Sequence, residues 1–151
     1  MKAACHLKST KMKRILITGN AGAGKSTLAN DVASRLEFRY VCLDRLVWRS
    51  GWAQTPRGKR DRRIREIANE EAWVIDGVSD IALGAADTVV FLNVSRRVSY
   101  WRVAKRNWKF LFRSRPDLHS GYLEIMIIPT LFRIIWHFPL RVRPDILRHV
   151  S

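Results

Sequence analysis

Three glycines, a lysine and a hydroxyl group lie close together between two apolar segments near the start of the chain. The pattern Gly19-x-x-x-x-Gly24-Lys25-Ser26 has the spacing of a phosphate-binding loop, or P-loop. Glycines let successive backbone N–H groups turn inward around an anion, because no Cβ obstructs that conformation. The lysine would reach the β- and γ-phosphates of a nucleotide, and the hydroxyl would ligate the Mg²⁺ that bridges them. The stretch therefore predicts a site for ATP and Mg²⁺.

This motif is informative only where a strand enters it and a helix leaves it. Residues 15–17 are aliphatic and mostly β-branched, which is typical of a buried strand in a parallel sheet. Leu28, Val32 and Leu36 recur at helical spacing, which predicts a helix over about 24–35. Both conditions are met. The predicted nucleotide-contacting residues are Gly19, Asn20, Ala21, Gly22, Ala23, Gly24, Lys25, Ser26 and Thr27.

The composition is that of an ordinary globular protein. With 151 residues, of which 47% are hydrophobic and 27% charged, the chain is long enough for one domain with a real core. We expect a single domain over 1–151, with 1–11 as a flexible leader because these residues show no apolar period. No stretch reaches the ~20 uninterrupted apolar residues of a membrane span, and the start lacks the apolar centre of a signal peptide. The sequence therefore predicts a cytoplasmic protein without a transmembrane segment.

The formal net charge of +15 requires a separate explanation. Lysines and arginines are concentrated at residues 8–14, 57–65 and 96–115. Such charge attracts nucleic acid, an anionic membrane surface or a polyphosphate. A phosphate-handling enzyme uses only a few of these arginines, so a nucleic-acid partner for the basic surface stays open. The alternative for most of them is a solvated face.

Three more apolar runs predict strands, at residues 38–43, 73–76 and 88–94, and amphipathic helical patterns lie between them. Strands that alternate with helices form a parallel sheet with right-handed crossovers. Ligands bind beyond the carboxyl ends of such strands. The sequence therefore predicts an α/β fold in three layers, with helices on both faces of the sheet.

Two aspartates follow predicted strands and should border the same crevice as the P-loop. Asp44 would accept a proton from an acceptor hydroxyl or hold the metal's water shell, or it caps a turn; the residues leave these alternatives open. Asp76 would orient water on the Mg²⁺ ion bound by Ser26, or it belongs to an Asp-Gly turn. Between them, Trp48 and Trp52 would stack on an acceptor base, or they pack in the core.

A basic helix is predicted from Ser95 onward. Arg102 and Arg106 are four positions apart and therefore share one face of it. Both would reach across the crevice to the transferring phosphoryl group, as part of a lid over residues 95–116 that excludes water and supplies positive charge. The alternative for this pair is a solvated basic face.

The chain resembles the adenylate-kinase-like P-loop kinases, and more closely the group called DNA topology-modulation or FlaR-like proteins. The resemblance covers most of the chain and rests on ILITGNAGAGKST, LDRLVWRSGW, WVIDG and ADTVVFLNV followed by YWRVAKR. It implies a kinase core of the P-loop NTPase type that binds ATP and Mg²⁺. It also implies Asp44 on the acceptor side, Arg102 with Arg106 in the lid, and the strand order 2-3-1-4.

The chain departs from that family after the third predicted strand and again near its end. Residues 77–80 lack the arginine that grips the acceptor's phosphate in adenylate kinases, so an AMP acceptor is not implied. Residues 121–140 predict a helix that is buried or lies on a membrane. A short helix after Pro144 replaces the family's fifth strand, which leaves strand 88–94 at an edge. We therefore expect self-association into a homo-oligomer or weak discrimination of adenine.

Together these features predict an ATP- and Mg²⁺-dependent phosphotransferase that acts on an unidentified small-molecule acceptor. The alternative is an ATP-binding, nucleic-acid-associated regulatory protein without kinase turnover. The predicted catalytic residues are Lys25, Asp44, Arg102 and Arg106, and the predicted metal-binding residues are Ser26 and Asp76.

Overall fold

The computed structural model of the protein describes residues 2–7, 12–47, 54–109, 132–133 and 135–138, with the backbone alone described at 2–7 and 106–109. Helical residues 132–133 and 135–138 are called the C-terminal segment below. The strands are β1 (Lys2–Leu7), β2 (Arg14–Gly19), β3 (Arg39–Cys42), β4 (Trp73–Asp76) and β5 (Thr88–Asn93). The helices are α1 (Lys25–Leu36), α2 (Leu43–Val47), α3 (Arg57–Ala68), α4 (Asp80–Ala85) and α5 (Arg96–Lys109).

The five strands form one sheet in the order β1-β5-β2-β4-β3. Strands β3, β4, β2 and β5 are parallel, and Leu16 in β2 lies between Ile75 of β4 and Val89 of β5. Counted along the chain from β2, this is the order 2-3-1-4, so the predicted parallel sheet is confirmed. The P-loop follows β2, the central strand of the sheet. Because β3 and β4 run parallel to β2, their carboxyl ends lie at the same edge of the sheet as the P-loop.

Alternate residues of β2 build two cores, one on each face of the sheet. Ile15 and Ile17 are fully buried and pack with Ala29 and Ala33 of α1. Leu16 points to the opposite face, where it joins a cluster with side chains of α3 and α4. A strand that is buried on both faces reads as a continuous apolar run, which is why the ILI sequence identified it. These cores hold the backbone that enters the P-loop.

The start of the chain differs from the sequence prediction. Residues 2–7, expected in a flexible leader, form β1, which pairs antiparallel with β5 from Lys2 opposite Asn93 to Leu7 opposite Thr88. The strand at 88–94 is therefore not at an edge. Its outer N–H and C=O groups pair within the same chain, because an aliphatic strand with an unpaired side is unfavourable. The expectation of self-association rested on an exposed edge that β1 covers.

Smaller differences concern where elements end. Strand β3 stops at Cys42 instead of residue 43, because Leu43 begins α2 and is buried there. Trp48, Trp52, the part of the predicted lid beyond residue 109 and the tail after Pro144 lie outside the described residues. Within the described ranges, no helix combines the length and the apolar character needed to cross a membrane.

Candidate nucleotide-binding site

The P-loop depends on glycine at two positions for different reasons. Gly24 has φ 96° and precedes α1 without a side-chain cap, so the first N–H groups of that helix stay available to a ligand. Gly22 has φ 72°, and a Cβ there would lie 2.9 Å from the Ser99 carbonyl oxygen and 3.0 Å from Val103 Cγ2. The loop is therefore shaped for an anion on one side and pressed against α5 on the other.

The P-loop lysine folds back over the loop itself. Lys25 Nζ donates to the Asn20 carbonyl oxygen at 3.1 Å, and Ala23 N donates to the same oxygen at 3.2 Å. The ammonium group therefore lies close to the loop's backbone, where α1 begins. A cation at this place adds to the positive end of the helix dipole, which favours a bound phosphate.

The predicted metal-binding residues are in direct contact. Ser26 Oγ donates a hydrogen bond to Asp76 Oδ2, which links the start of α1 to the end of β4. Asp76 is 2% exposed, and its Oδ1 has no hydrogen-bond partner among the described residues. A buried carboxylate oxygen without a partner is costly. One hydroxyl and one such carboxylate are oxygen ligands of the kind that Mg²⁺ prefers, so the residues fit this ion.

The two aspartates lie on either side of Cys42. This residue is opposite Asp76 in the β3–β4 register, and it directly precedes the first turn of α2, which carries Asp44. Burial and the negative charges of Asp76 and Asp44 raise the pKa of the Cys42 thiol to about 11. Burial and Asp76 likewise raise the pKa of Tyr40. The carboxylates of Asp76 and Asp44 therefore both raise the pKa of one thiol, at the carboxyl ends of the neighbouring strands β3 and β4.

Their environments are nevertheless different. Asp76 is enclosed, whereas Asp44 is exposed at the start of a five-residue helix. An exposed carboxylate is accessible to molecules from solvent, while a buried one is suited to hold an ion. The first turn of a helix favours an acidic residue, so the position of Asp44 fits a capping role. Its exposure fits an acceptor-side role as well.

The arginine helix packs directly on the P-loop. Ser99 and Val103 of α5 are fully buried against it, and Arg102 Nη1 donates to the Ala23 carbonyl oxygen at 3.3 Å. One of the two predicted arginines thus reaches the loop from the side of α5. Arg106 lies on the same helix one turn later, and its side chain is outside the described residues.

Sequence reasoning missed the contacts between the P-loop and the C-terminal segment. Asn20 is 2% exposed and donates through Nδ2 to the Ile135 carbonyl oxygen at 3.2 Å. Next to this contact is a cavity of about 200 Å³, bordered by Asn20, Ser95, Arg96 and Phe138. The only available signal was the apolar pattern of residues 121–140, which predicts a buried helix without indicating its partner.

Comparison with known proteins supports the fold. No family model matches the chain. A shikimate kinase from Hahella chejuensis (strain KCTC 2396) is 27% identical over 70% of this chain and 65% of the relative, so the chain spans just under two thirds of that protein's length.

Two solved structures are similar as well. The shikimate kinase from Bacteroides thetaiotaomicron has a TM-score of 0.55 and 22% identity, covering 88% of this chain and 81% of that chain. A gluconokinase from Sinorhizobium meliloti 1021 has a TM-score of 0.49 and 15% identity, covering 89% and 97%. The first of these confirms the predicted α/β fold. None of the three relatives is a topology-modulation protein.

Proposed function

We propose that this protein is an ATP- and Mg²⁺-dependent kinase that transfers a phosphoryl group to a hydroxyl of a small molecule. The observation that carries the proposal is the contact between Ser26, in the P-loop, and the buried Asp76, which keeps one oxygen without a partner among the described residues. The likeness to shikimate kinases supports it. A kinase that depends on ATP is expected in the cytoplasm.

The P-loop would bind the triphosphate. Backbone N–H groups of residues 24–27, where α1 begins, would hold the β- and γ-phosphates, and Lys25 would leave the Asn20 carbonyl to contact them. Ser26 and Asp76 would hold Mg²⁺, which when bound would neutralise charge on the phosphate oxygens. Because the triphosphate would be held in one position, its γ-phosphorus would face a single direction. This orientation of the reacting group contributes to catalysis.

On the acceptor side, Asp44 would act as the base. Its carboxylate would take the proton of the acceptor hydroxyl as the new O–P bond forms and the bond from the γ-phosphorus to the bridging oxygen of ADP breaks. Arg102, with Arg106 one turn away, would stabilise negative charge on the transferring group and on the leaving ADP. An exposed carboxylate and a buried, metal-holding one would thus divide the two tasks.

The acceptor is proposed to be a polyhydroxylated small molecule, and shikimate is the first to test because two relatives are named for it. The experiment incubates the protein with ATP and Mg²⁺ and with shikimate, sugars, sugar acids or nucleosides, and follows ADP release. Lys25→Ala should lose most of the turnover, and Arg35→Ala, an exposed residue in the same helix, serves as the control. Failure of the wild-type protein to bind ATP would refute the proposal.

A second candidate function is nucleic-acid binding controlled by nucleotide. Lys59, Arg62 and Arg65 of α3 are exposed, and none forms an ion pair with a described residue. Such unpaired charge favours a polyanion. Replacing all three by alanine should lower the salt dependence of duplex-DNA binding, with a slope smaller by about 0.9 for each phosphate that is no longer neutralised. Absence of salt-dependent binding by the wild-type protein would exclude this function.

A further inference from the structure

The side chain of Asn20 connects the P-loop to the C-terminal segment. It is buried, and both ends of its amide are used: Oδ1 accepts from Ala21 N at 2.8 Å, and Nδ2 donates to the Ile135 carbonyl oxygen at 3.2 Å. The two residues joined by the second bond are 115 positions apart. A buried amide that is paired at both ends holds its neighbours in one arrangement.

The C-terminal segment has its own contacts with the elements around the P-loop. Ile135 is fully buried, and the ring of Phe138 stacks on Phe91 of β5 with centroids 6.4 Å apart. On α5, Tyr100 Oη donates to the Phe132 carbonyl oxygen at 3.3 Å, and the Arg96 guanidinium lies 5.0 Å from the ring centre of Trp136. The segment is therefore docked on the two elements that border the loop, and its backbone reaches the loop through Asn20.

The same residue holds the P-loop lysine. The Asn20 carbonyl oxygen accepts from Lys25 Nζ, while the Asn20 side chain binds Ile135. If the C-terminal segment were displaced, Asn20 Nδ2 would become a buried donor without its partner. The same residue carries the carbonyl oxygen that accepts from Lys25 Nζ. An unpaired donor of this kind favours rearrangement of the loop, away from the shape that surrounds an anion.

We propose that Asn20 is a positioning residue through which docking of the C-terminal segment sets the affinity of the P-loop for nucleotide. The inference rests on the proposed nucleotide binding and adds to it a dependence on the C-terminal segment, which is joined to the loop by the bond from Asn20 to Ile135. The protein binds ATP tightly when the segment is docked and weakly when it is displaced.

The test is a double-mutant cycle on the dissociation constant for ATP, measured by calorimetry with the full chain. Asn20→Ala removes the bond to Ile135 and also the oxygen that accepts from Ala21 N, and Phe138→Ala weakens docking without touching the loop. Phe138→Ala should weaken ATP binding by about three- to tenfold, the range expected for one buried hydrogen bond, and Asn20→Ala should weaken it by at least as much. Together they should weaken it no more than Asn20→Ala alone, because the second change acts through the bond that the first removes.

Two further variants separate this coupling from a general loss of stability. Leu83→Ala removes a buried side chain of α4 in the core that α3 and α4 form with Leu16, and it should lower the melting temperature without changing the affinity for ATP. If Asn20→Ala fails to fold, Asn20→Ser replaces it, since the shorter side chain keeps an acceptor for Ala21 N but does not reach Ile135.

The outcomes are distinct. ATP binding by the wild-type protein that is weakened by both single changes and not further by their combination supports the inference. Fully additive effects, or equal weakening by Leu83→Ala, would overturn it. Wild-type protein that does not bind ATP would instead refute the proposed function. Unchanged affinity in Asn20→Ala, with normal wild-type binding, would refute only the role of Asn20.

Discussion

Gly22 offers a sharp test of how closely α5 is packed on the P-loop. At φ 72° an alanine is strained, and its Cβ would meet the Ser99 carbonyl oxygen at 2.9 Å and Val103 Cγ2 at 3.0 Å. The Ser99 carbonyl oxygen belongs to the backbone of α5, so it cannot move unless the helix moves with it. Gly22→Ala therefore requires either a shift of α5 or a change in the loop.

The cost follows from two contributions. A left-handed conformation costs a residue with a Cβ about 1–2 kcal/mol, and overpacking of a tight contact costs about 1–3 kcal/mol. Because each kcal/mol lowers the melting temperature of a chain of this size by about 2–4 °C, we expect Gly22→Ala to melt roughly 4–20 °C lower. ATP affinity should fall as well, since the loop that is displaced is the one that binds phosphate.

Gly84 provides the matched control. It lies in α4, has no positive φ, and a Cβ there would meet nothing within 4 Å. Gly84→Ala should leave stability unchanged or raise it by up to about 1 kcal/mol, as alanine favours a helix over glycine. The assay is thermal unfolding followed by circular dichroism, together with calorimetric titration of ATP. Equal melting temperatures for the two variants would show that α5 does not press on the loop as described.

Three further predictions concern the metal site, the thiol and the first strand. Asp76→Asn should abolish the effect of Mg²⁺ on ATP affinity and leave metal-free binding intact; a retained Mg²⁺ effect would contradict the assignment. Because burial and two carboxylates raise the pKa of Cys42 to about 11, the folded state holds that proton longer than the unfolded chain, so stability should fall as pH rises from roughly 8.5 to about 11. Iodoacetamide should accordingly modify Cys42 slowly at pH 8 in a Cys5→Ser background, and fast modification there would be inconsistent with this pKa. A chain that begins at Met12 should melt at a lower temperature than the full chain, and an equal melting temperature would mean that β1 contributes no stability.

The sequence predicted those parts of the site whose residues are close together in the chain or follow strands. Gly19 to Ser26 are consecutive residues from the end of β2 to the start of α1, and Asp76 ends a strand whose other residues are apolar, so its position at the carboxyl edge follows from topology. The bond between Asn20 and Ile135 has no such local signal, because it depends on where a distant segment docks.

The first strand was missed for a related reason. KAACHL shows neither alternation nor a continuous β-branched run, and its pairing comes from β5, a strand that is far away in the chain. The backbone of β5 offers the hydrogen-bonding groups whatever the side chains of its partner are. Propensity within β1 therefore contributes little to the outcome, and reasoning from residue types alone predicts a leader.

Antiparallel pairing of β1 with β5 also determines when the sheet can be completed. Lys2 leaves the ribosome long before its partner Asn93, which emerges only after the P-loop, α1 and β4 have been synthesised. The central parallel strands can then associate while the first strand is still without a partner. The strand that is synthesised before the other four is thus among the last to be ordered, and its pairing with β5 is a late step in folding.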